Sequence, residues 1–242
     1  MSKVEKLKTG IEGLDELMNG GVPINHSVFL AGPAGSGKTT YALEFLYRGA
    51  KEHGQNGLYV SFEESKEQLV EDLPFNWDFE ECLEEGKINV TKYDPYQYED
   101  IIDLIRSSVK ENNAKRVVVD SLTALSLYVD DIKDVRKLIL DMNETLRSLG
   151  CTTMYTGEVR TGKPDQVSRY GVEEFIADGV ILLKLTEEGT ELSNKVIVRK
   201  MRGTDHDKGE HPFKFEEDGL KIYSKEEAFS SSGSSGASTE LF

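Results

Sequence analysis

Short apolar runs alternate with helix-favouring stretches along most of this chain. The apolar runs predict strands at 27–31, 58–62, 88–92, 116–120, 152–156, 179–184 and 195–200. Between the first five of these runs lie stretches with helical character, at 39–51, 66–73, 98–112 and 135–149. In the third stretch, Ile101, Ile105 and Val109 recur at the spacing of one helix face.

The alternation predicts an α/β fold. Strands that are apolar along their whole length are typical of a mainly parallel sheet with helices on both faces. After residue 178 the helical patterns stop, and a turn at 216–219 precedes a last strand at 220–223. We therefore expect an antiparallel extension at one edge of the sheet. One domain is predicted over 1–229, followed by a Ser/Gly-rich tail at 230–242 whose composition favours disorder.

Composition narrows the classes of function. The 242 residues include 29 Lys and Arg against 44 Asp and Glu, a formal net charge of −15. This balance disfavours a general nucleic-acid binder, because phosphate contacts need clustered cations. No apolar run approaches the roughly 20 residues that span a bilayer, and the first ten residues lack the apolar core of a signal peptide. Cys82 and Cys151 are too few for a disulfide scaffold or a zinc motif, so the cytoplasm is the expected location.

A phosphate-binding loop stands between the first predicted strand and the first long helix. The sequence GPAGSGKT at 32–39 matches the spacing GxxxxGK[ST]. Its glycines let backbone N–H groups turn towards phosphate oxygens, and the helix N-terminus adds partial positive charge. At this spacing Lys38 reaches the β- and γ-phosphates, and the Thr39 hydroxyl is placed to bind Mg²⁺. The residues expected to hold the nucleotide are Gly35, Ser36, Gly37, Lys38, Thr39 and Thr40.

Acidic residues at two strand ends complete the predicted catalytic site. Asp120 ends the apolar strand 116–120 and is expected on the metal side of the nucleotide. Glu63 and Glu64 follow the strand 58–62, whose carboxyl end points towards the ligand crevice of an open α/β sheet. Either glutamate is placed to deprotonate a water in line with the γ-phosphate, and the spacing does not decide between them. The alternative is an acidic first turn that stabilises the helix dipole.

With these motifs in place, the sequence resembles the KaiC-like branch of the RecA/RadA ATPase superfamily. The resemblance covers 9–223 and includes the leader at 9–23, the phosphate loop and the strand end at 117–125. Two later stretches, 169–178 and 200–213, favour KaiC-like proteins over recombinases. The resemblance implies a RecA-like P-loop NTPase core that binds ATP and Mg²⁺, hydrolyses ATP slowly and assembles into a hexameric ring.

The resemblance also places the nucleotide between subunits. In KaiC-like proteins a KMRGT-x-H stretch contacts the nucleotide of the neighbouring subunit, which implies such contacts for Lys200, Met201, Arg202, Thr204 and His206, with Lys208 a weaker candidate. The segment 195–208 has five basic residues against two acidic ones in a chain that is acidic overall. A guanidinium aimed at a γ-phosphate stabilises the transferring group, so Arg202 is a candidate catalytic residue. The alternative is an ordinary charged edge strand.

The sequence departs from the family pattern at two places. Clock members of the family have adjacent Ser and Thr phosphorylation sites in a loop that corresponds to 158–166, where Thr161 stands alone. Autophosphorylation and timekeeping are therefore not expected. Pro74 stands where the family offers a nucleotide-contacting Ser. Phe75 and Trp77 are candidates to stack on adenine, although packing in the core is the expected role of both.

Charged surface segments leave two alternative functions open. The segment 63–85 contains ten acidic residues and one Lys, which is typical of a solvated helix face and also suits docking of a basic protein partner. The first alternative is therefore a nucleotide-gated scaffold with little turnover. The second is a recombinase-like ATPase with Arg160, Lys163 and Arg169 lining a channel for DNA, which nearby acidic residues disfavour. His206 and His211 match no standard zinc spacing.

Overall fold

A large sheet flanked by helices dominates this computed structural model, which describes residues 4–97, 100–129, 131–159, 167–188 and 191–226. The strands are β1 (Lys6–Leu7), β2 (Val22–Pro23), β3 (Ser27–Gly32), β4 (Gly57–Ser61), β5 (Ile88–Lys92), β6 (Arg116–Asp120), β7 (Thr152–Glu158), β8 (Gly179–Glu188), β9 (Glu191–Met201), β10 (His211–Glu216) and β11 (Gly219–Ile222). The helices are α1 (Leu14–Leu17), α2 (Lys38–His53), α3 (Lys66–Glu71), α4 (Phe79–Glu84), α5 (Ile101–Glu111), α6 (Leu122–Ser126), α7 (Ile132–Ser148) and α8 (Glu173–Ile176).

The strand order of the large sheet is β11-β10-β9-β8-β3-β7-β6-β4-β5. Every neighbouring pair from β8 to β5 is parallel, whereas β9, β10 and β11 are added antiparallel to one another and to β8. This confirms the predicted parallel sheet and its antiparallel extension. Because the carboxyl ends of the parallel strands meet at one edge, the ends of β3, β4, β6 and β7 lie side by side there.

Each face of the sheet is covered by its own hydrophobic layer. On one face α2 contributes Tyr41, Phe45 and Leu46 to a cluster that also contains Tyr59 and Val118 from the strands. On the other face α5 and α7 pack over the alternate strand positions, among them Leu58, Val60, Val117 and Val119. Strands buried on both sides explain why their sequences read as continuous apolar runs.

A buried arginine fixes the leader against the P-loop helix. Arg116 is fully buried, and its guanidinium donates to the carbonyls of Lys8 (2.6 Å), Thr9 (3.1 Å) and Phe45 (2.7 Å) and to Gln55 Oε1 (2.8 Å). Burial lowers the pKa of Arg116 from 12.5 to about 10. The side chain therefore joins residues 8–9, β6 and α2 through backbone acceptors.

The predicted elements differ from the observed ones mainly at their ends, whereas short elements such as α4 and β10 are not predicted. The helix predicted at 135–149 begins earlier, at Ile132, because Asp131 caps it by accepting a hydrogen bond from the Lys133 amide. In the segment 195–200, Lys195 and Val196 pair with β10, so the edge-strand alternative is wrong for these two residues, whereas the residues after them pair, among the described strands, with β8 alone. The tail at 230–242 lies outside the described residues, and the domain boundary stays a prediction. In the described part of the chain, no helix is long and apolar enough to cross a membrane.

Candidate functional site

The loop between β3 and α2 has the geometry of an anion site. Gly35 and Gly37 have φ angles of +75° and +86°, in the left-handed region that favours glycine. α2 starts with neither a side-chain cap nor an acidic residue in its first turn, so its first N–H groups remain available to a ligand. The Lys38 ammonium donates to the carbonyls of Gly32 (3.1 Å) and Pro33 (2.9 Å) and so lies across the loop. Backbone amides and one ammonium can together hold phosphate oxygens.

The remaining loop residues support this geometry. Ser36 is buried, and its hydroxyl donates to the Pro33 carbonyl at 2.8 Å, which closes the loop on itself. Thr39 and Thr40 stand in the first turn of α2. Burial lowers the pKa of Lys38, although nearby carboxylates oppose this effect.

Thr39 and Asp120 meet beside the loop, as the sequence predicts. Thr39 Oγ1 donates to Asp120 Oδ2 at 3.1 Å. The hydroxyls of Tyr59 and Thr156 donate to the same buried carboxylate. Mg²⁺ takes hard oxygen ligands together with phosphate oxygens and water. A hydroxyl and a carboxylate in contact at the start of α2 fit that donor set.

Glu63 and Glu64 lie between β4 and α3, before the helix begins. Their amides donate to Ser61 Oγ at 3.3 and 3.0 Å. Ser65 is the N-cap of α3 and forms a capping box with Gln68. The two glutamates therefore directly precede the N-cap of α3, whose first turn contains Glu67, and an acid-rich helix N-terminus stays the alternative to a catalytic role.

The two glutamates differ in which lysine lowers the pKa of their carboxyl group. Burial and the charge of Asp120 raise the pKa of both carboxyls. Lys38 partly offsets this effect for Glu63, whereas Lys92 does so for Glu64. A carboxyl pKa raised towards neutrality suits a general base. Of the two, Glu63 is the one that shares its surroundings with the P-loop lysine.

A fourth carboxylate lies at the site, at a position that the sequence does not predict. Glu158 ends β7 beside Gly32 in the sheet register, and its charge acts on both Lys38 and Glu63. It ends an apolar strand as Asp120 does. The strand predicted at 152–156 stops two residues short of it, which is why this signal was missed.

An aromatic ring also covers the loop. A Cβ atom built on Gly37 would approach the ring of Phe215 to 2.4 Å, so the ring packs directly on the loop backbone. Phe215 is 40% exposed. The sequence predicts no separate strand at 211–216, and nothing in it marks this residue.

The structure does not bring the 200–206 stretch to the P-loop of its own chain. Met201 is in register with Gly179 of β8, which is in register with Val28 near the start of β3. The P-loop follows Gly32 at the other end of β3. Four residues along the strand and two strand spacings separate Met201 from Gly32, about 16 Å at ~3.3 Å per residue and ~4.8 Å per strand. Arg202 therefore lies near the amino ends of these strands, beyond reach of a phosphate in its own loop.

The charged members of this stretch are held by the segment before β8. Lys200 Nζ donates to the carbonyls of Glu174 (2.9 Å) and Ala177 (2.6 Å). The Arg202 amide donates to the Asp178 carbonyl at 3.0 Å. The Arg202 side chain is 57% exposed, with Nη1 3.6 Å from Asp178 Oδ1. The backbone of Arg202 is thus fixed by a hydrogen bond, while its guanidinium is more than half exposed and accessible to a neighbouring copy.

Lys6 of β1 and Asn19 of the leader support the rest of the stretch. Lys6 Nζ donates to Thr204 Oγ1 at 2.6 Å, and Asn19 Nδ2 donates to the Asp205 carbonyl at 3.1 Å. Neither ring nitrogen of His206 is solvent-exposed, and neither has a hydrogen-bond partner in the described part of the chain. These contacts give the leader motif a structural role beside the 200–206 stretch.

The two candidate adenine-stacking residues pack against the core, Phe75 buried and Trp77 partly buried. Phe75 is buried, with its ring centroid 4.6 Å from that of Trp77. Trp77 stacks on Tyr47 at 4.8 Å and donates to the Asp218 carbonyl at 3.0 Å. This confirms the expected core role. Pro74, at the start of this segment, is exposed.

Three further hypotheses concern a DNA channel, the loop at 158–166 and a metal site. Arg160, Thr161 and Lys163 lie outside the described residues, and Arg169 is 5.9 Å from the ring of Tyr170. Among the residues that are described, no group of three or more His, Cys, Asp or Glu side chains is arranged to hold a metal ion. A magnesium ion at Thr39 and Asp120 would thus depend on phosphate oxygens as well.

Comparison with known proteins gives consistent matches over most of the chain. A family model described as KaiC ATPase matches residues 7–227. The circadian clock oscillator proteins KaiC of Acaryochloris marina and of a Picosynechococcus species are 34% and 36% identical over 232 and 231 residues. Each match covers 91% of this chain but only 44% and 45% of the relative, so the chain spans less than half their length.

A solved structure agrees with these matches. The crystal structure of a KaiC-like protein from the archaeon Pyrococcus horikoshii has a TM-score of 0.83 and 40% sequence identity, and the match covers 91% of this chain and 99% of that one. A P-loop on a parallel sheet alone indicates only a P-loop NTPase. The match over 7–227 selects one family among them, and ATP binding and hydrolysis follow from it. The chain belongs to the KaiC family of RecA-type ATPases.

Proposed function

We propose that this chain hydrolyses ATP at the interfaces between its own copies in a hexameric ring. One observation carries the proposal: Met201, the residue before Arg202, lies about 16 Å from Gly32 at the start of the P-loop, towards the opposite end of the parallel strands. A guanidinium that acts on a γ-phosphate must then act on the nucleotide of a neighbouring copy. The resemblance implies contacts of Lys200, Met201, Thr204 and His206 with the same nucleotide, and for His206 these require its buried ring nitrogens to become exposed.

Within one copy, the proposed roles follow from the contacts around Lys38. The amides at 35–40 and the Lys38 ammonium bind the phosphates. Thr39 and Asp120 hold Mg²⁺, which when bound neutralises charge on the phosphate oxygens. Glu63 deprotonates the attacking water, supported by its raised pKa and its proximity to Lys38.

Two single variants test which glutamate is the base. Glu63→Gln should lower kcat on the order of 10²-fold while ATP still binds, since Gln keeps the size of the side chain but accepts no proton. Glu64→Gln should lower kcat only a few-fold. The reverse order would assign the base to Glu64, and equal small effects would exclude both.

Mixing two inactive variants tests the intersubunit site. Arg202→Ala retains the P-loop and the glutamates, whereas Glu63→Gln/Glu64→Gln retains Arg202 but lacks the base. In randomly mixed rings, about a quarter of the interfaces pair an intact P-loop with an intact Arg202 from the neighbour. An equimolar mixture should therefore recover about a quarter of the wild-type activity, although each variant alone is inactive.

The matched control is Arg202→Ala mixed with the triple variant Glu63→Gln/Glu64→Gln/Arg202→Ala, which has no intact interface and should stay inactive. Native mass spectrometry establishes that the mixed assemblies form. Mixed rings without recovered activity would contradict the trans role of Arg202. Light scattering with and without ATP–Mg²⁺ tests the ring itself, and a strict monomer under both conditions would contradict it.

We further propose that turnover is slow and coupled to assembly or to a protein partner. Asp120, Glu63 and Glu158 surround one lysine, and their negative charge opposes that of the γ-phosphate. The free thiols of Cys82 and Cys151 suit the cytoplasm. A steady-state rate unaffected by Glu158→Gln would contradict the electrostatic explanation of slow turnover.

One observation favours a scaffold function beside hydrolysis. The segment Glu63–Glu64 leads directly into α3, and α3 and α4 line an open surface pocket of about 370 Å³. The charged residues that line it are Lys66, Glu67, Glu71, Glu80 and Glu84. A change at the γ-phosphate can thus reach an acidic surface through one short connection. Hydrogen exchange in α3 should differ between the ATP-bound Glu63→Gln/Glu64→Gln variant and its ADP-bound form, and identical exchange would exclude this coupling.

A further inference from the structure

A short segment before β8 forms a platform beneath Arg202. The carbonyls of Glu174 and Ala177 accept hydrogen bonds from Lys200, and the Asp178 carbonyl accepts one from the Arg202 amide. The 174–178 segment is itself joined to β3, because the Asp178 amide donates to the Ser27 carbonyl at 2.9 Å. The backbone at Arg202 is therefore fixed by hydrogen bonds to the 174–178 segment, which is itself fixed to β3.

The side chain of Asp178 joins three elements at this platform. Its Oδ2 accepts hydrogen bonds from the amide (3.1 Å) and the hydroxyl (3.3 Å) of Ser27 and from Arg147 Nη2 at the end of α7. Its Oδ1 lies 3.6 Å from Arg202 Nη1. The carboxylate is nearly buried, with 6% exposure, while the side chains of Arg147 and Arg202 are 49% and 57% exposed. One interior anion thus lies between two outward-facing guanidinium groups.

The charge of Asp178 is maintained despite this burial. Burial alone would raise the pKa of its carboxyl, but the Ser27 amide and Arg147 outweigh that effect, and the pKa lies below its ordinary value. Asp178 also forms the one ion pair of Arg202 found in the described part of the chain. Without the negative charge, Arg202 would lose this ion pair while the positive charge of Arg147 remained nearby, and its guanidinium would turn away.

We propose that Asp178 is a positioning residue, which sets the direction in which Arg202 is presented to the nucleotide of the neighbouring copy. Arg147 holds the carboxylate in the orientation that this requires. The inference rests on the proposed trans role of Arg202 and adds to it the residues that orient the guanidinium. Asp178 is then required in the copy whose Arg202 reaches the neighbour's nucleotide, which is called the donor copy below.

A purely structural role of Asp178 would act in a different copy. Its hydrogen bonds to Ser27 fix the start of β3, and β3 carries the P-loop at its other end. If Asp178 mattered only for that strand, it would be needed in the copy that binds the nucleotide. The two roles can therefore be separated by placing the same substitution on one side of the interface or on the other.

The mixing experiment provides this separation. Donor copies are Glu63→Gln/Glu64→Gln, with or without Asp178→Asn, and acceptor copies are Arg202→Ala, with or without Asp178→Asn. We expect Asp178→Asn in the donor to lower the recovered ATPase activity at least about fivefold, and in the acceptor to change it less than about twofold. Equal losses on both sides, a loss on the acceptor side alone, or no loss would each overturn the positioning role.

The same experiment separates this inference from the proposed function. If unmodified donor and acceptor recover no activity in mixed rings, the trans role of Arg202 is wrong and the positioning role falls with it. If they recover activity but Asp178→Asn is not selective for the donor, only the positioning role is wrong. Should Asp178→Asn fail to fold, Arg147→Gln replaces it, because that side chain is half-exposed and leaves the Ser27 hydrogen bonds in place. A donor-selective loss of at least about twofold is then expected, and its absence would overturn the inference.

Discussion

A buried glutamate on the P-loop helix predicts that folding stability depends on pH. Glu44 is fully buried; its Oε1 accepts a hydrogen bond from Arg48 Nε at 3.2 Å and its Oε2 accepts one from the Leu220 amide at 2.8 Å. Burial raises the pKa of Glu44 from 4.5 to about 7, although both hydrogen bonds oppose this shift. Between these two values the native protein holds a proton at Glu44 that the unfolded chain has released.

The sign and size of the effect follow from this difference in bound protons. Because the native state binds more protons, the free energy of unfolding falls as pH rises from 4.5 and levels off above about 7. The full difference corresponds to about 3 kcal/mol. Between about pH 5.5 and about pH 8, integration of the two titration curves leaves an expected loss of about 2 kcal/mol.

Urea unfolding at several pH values measures this loss. Glu44→Gln keeps an acceptor in place but does not ionise, so the difference between wild type and variant isolates the titration of this one group. Glu52→Gln is the matched control, since Glu52 stands on the same helix and pairs with Arg48 at 3.0 Å but is partly exposed. The control should follow the wild type. A difference between wild type and Glu44→Gln that stays constant within about 0.5 kcal/mol from about pH 5.5 to about pH 8 would refute the reasoning.

Three further predictions concern stability, affinity and thiol reactivity. Arg116→Met leaves three interior carbonyls without their donor and should lower the free energy of unfolding in urea by about 3 kcal/mol; a loss no larger than that of the exposed Arg106→Met, about 0.5 kcal/mol or less, would contradict it. Phe215→Ala uncovers the backbone of Gly37 and should weaken ATP binding by calorimetry about two- to tenfold; unchanged affinity would exclude a role for the ring. Burial raises the pKa of Cys151 to about 11, so a thiol reagent should modify it only after unfolding, and rapid reaction in the native protein would show the burial to be wrong.

The strands of the parallel sheet are the part of the fold that sequence predicts best. β6 (Arg116–Asp120) begins and ends as predicted, because this fully buried strand is an apolar run between two charged residues. β5 (Ile88–Lys92) also has its predicted bounds, although it is the edge strand and is only partly buried. The helix α4 (Phe79–Glu84) is missed. Six residues give too few turns for a helical period to appear, although Phe79 and Cys82 are buried in the core.

In the candidate site, residues that act through local contacts can be predicted from the sequence, and residues that act through distant contacts cannot. The P-loop can be predicted because its glycines, Lys38 and Thr39 act through the backbone of one short segment. Asp178 cannot, since its carboxylate meets Ser27 from a position 151 residues later in the chain and meets Arg147 on a different helix. The choice between Glu63 and Glu64 also depends on charges brought in by other strands, which spacing does not reveal.

The direction of β9 decides what kind of assembly can complete the proposed site. β9 runs antiparallel to β8 and so returns the chain to the amino ends of the parallel strands, whereas the P-loop stands at the carboxyl end of β3. The two halves of the site therefore face opposite ends of one sheet. In a two-fold dimer one surface meets its own copy, and a single such surface would have to contain both halves. In a head-to-tail contact, the surface of one copy that contains Arg202 meets the surface of the next copy that contains the P-loop. This contact repeats from copy to copy until a ring closes. In the proposed ring, the antiparallel extension carries Arg202 to the end of the sheet opposite its own P-loop, where it can act only on the nucleotide of another copy.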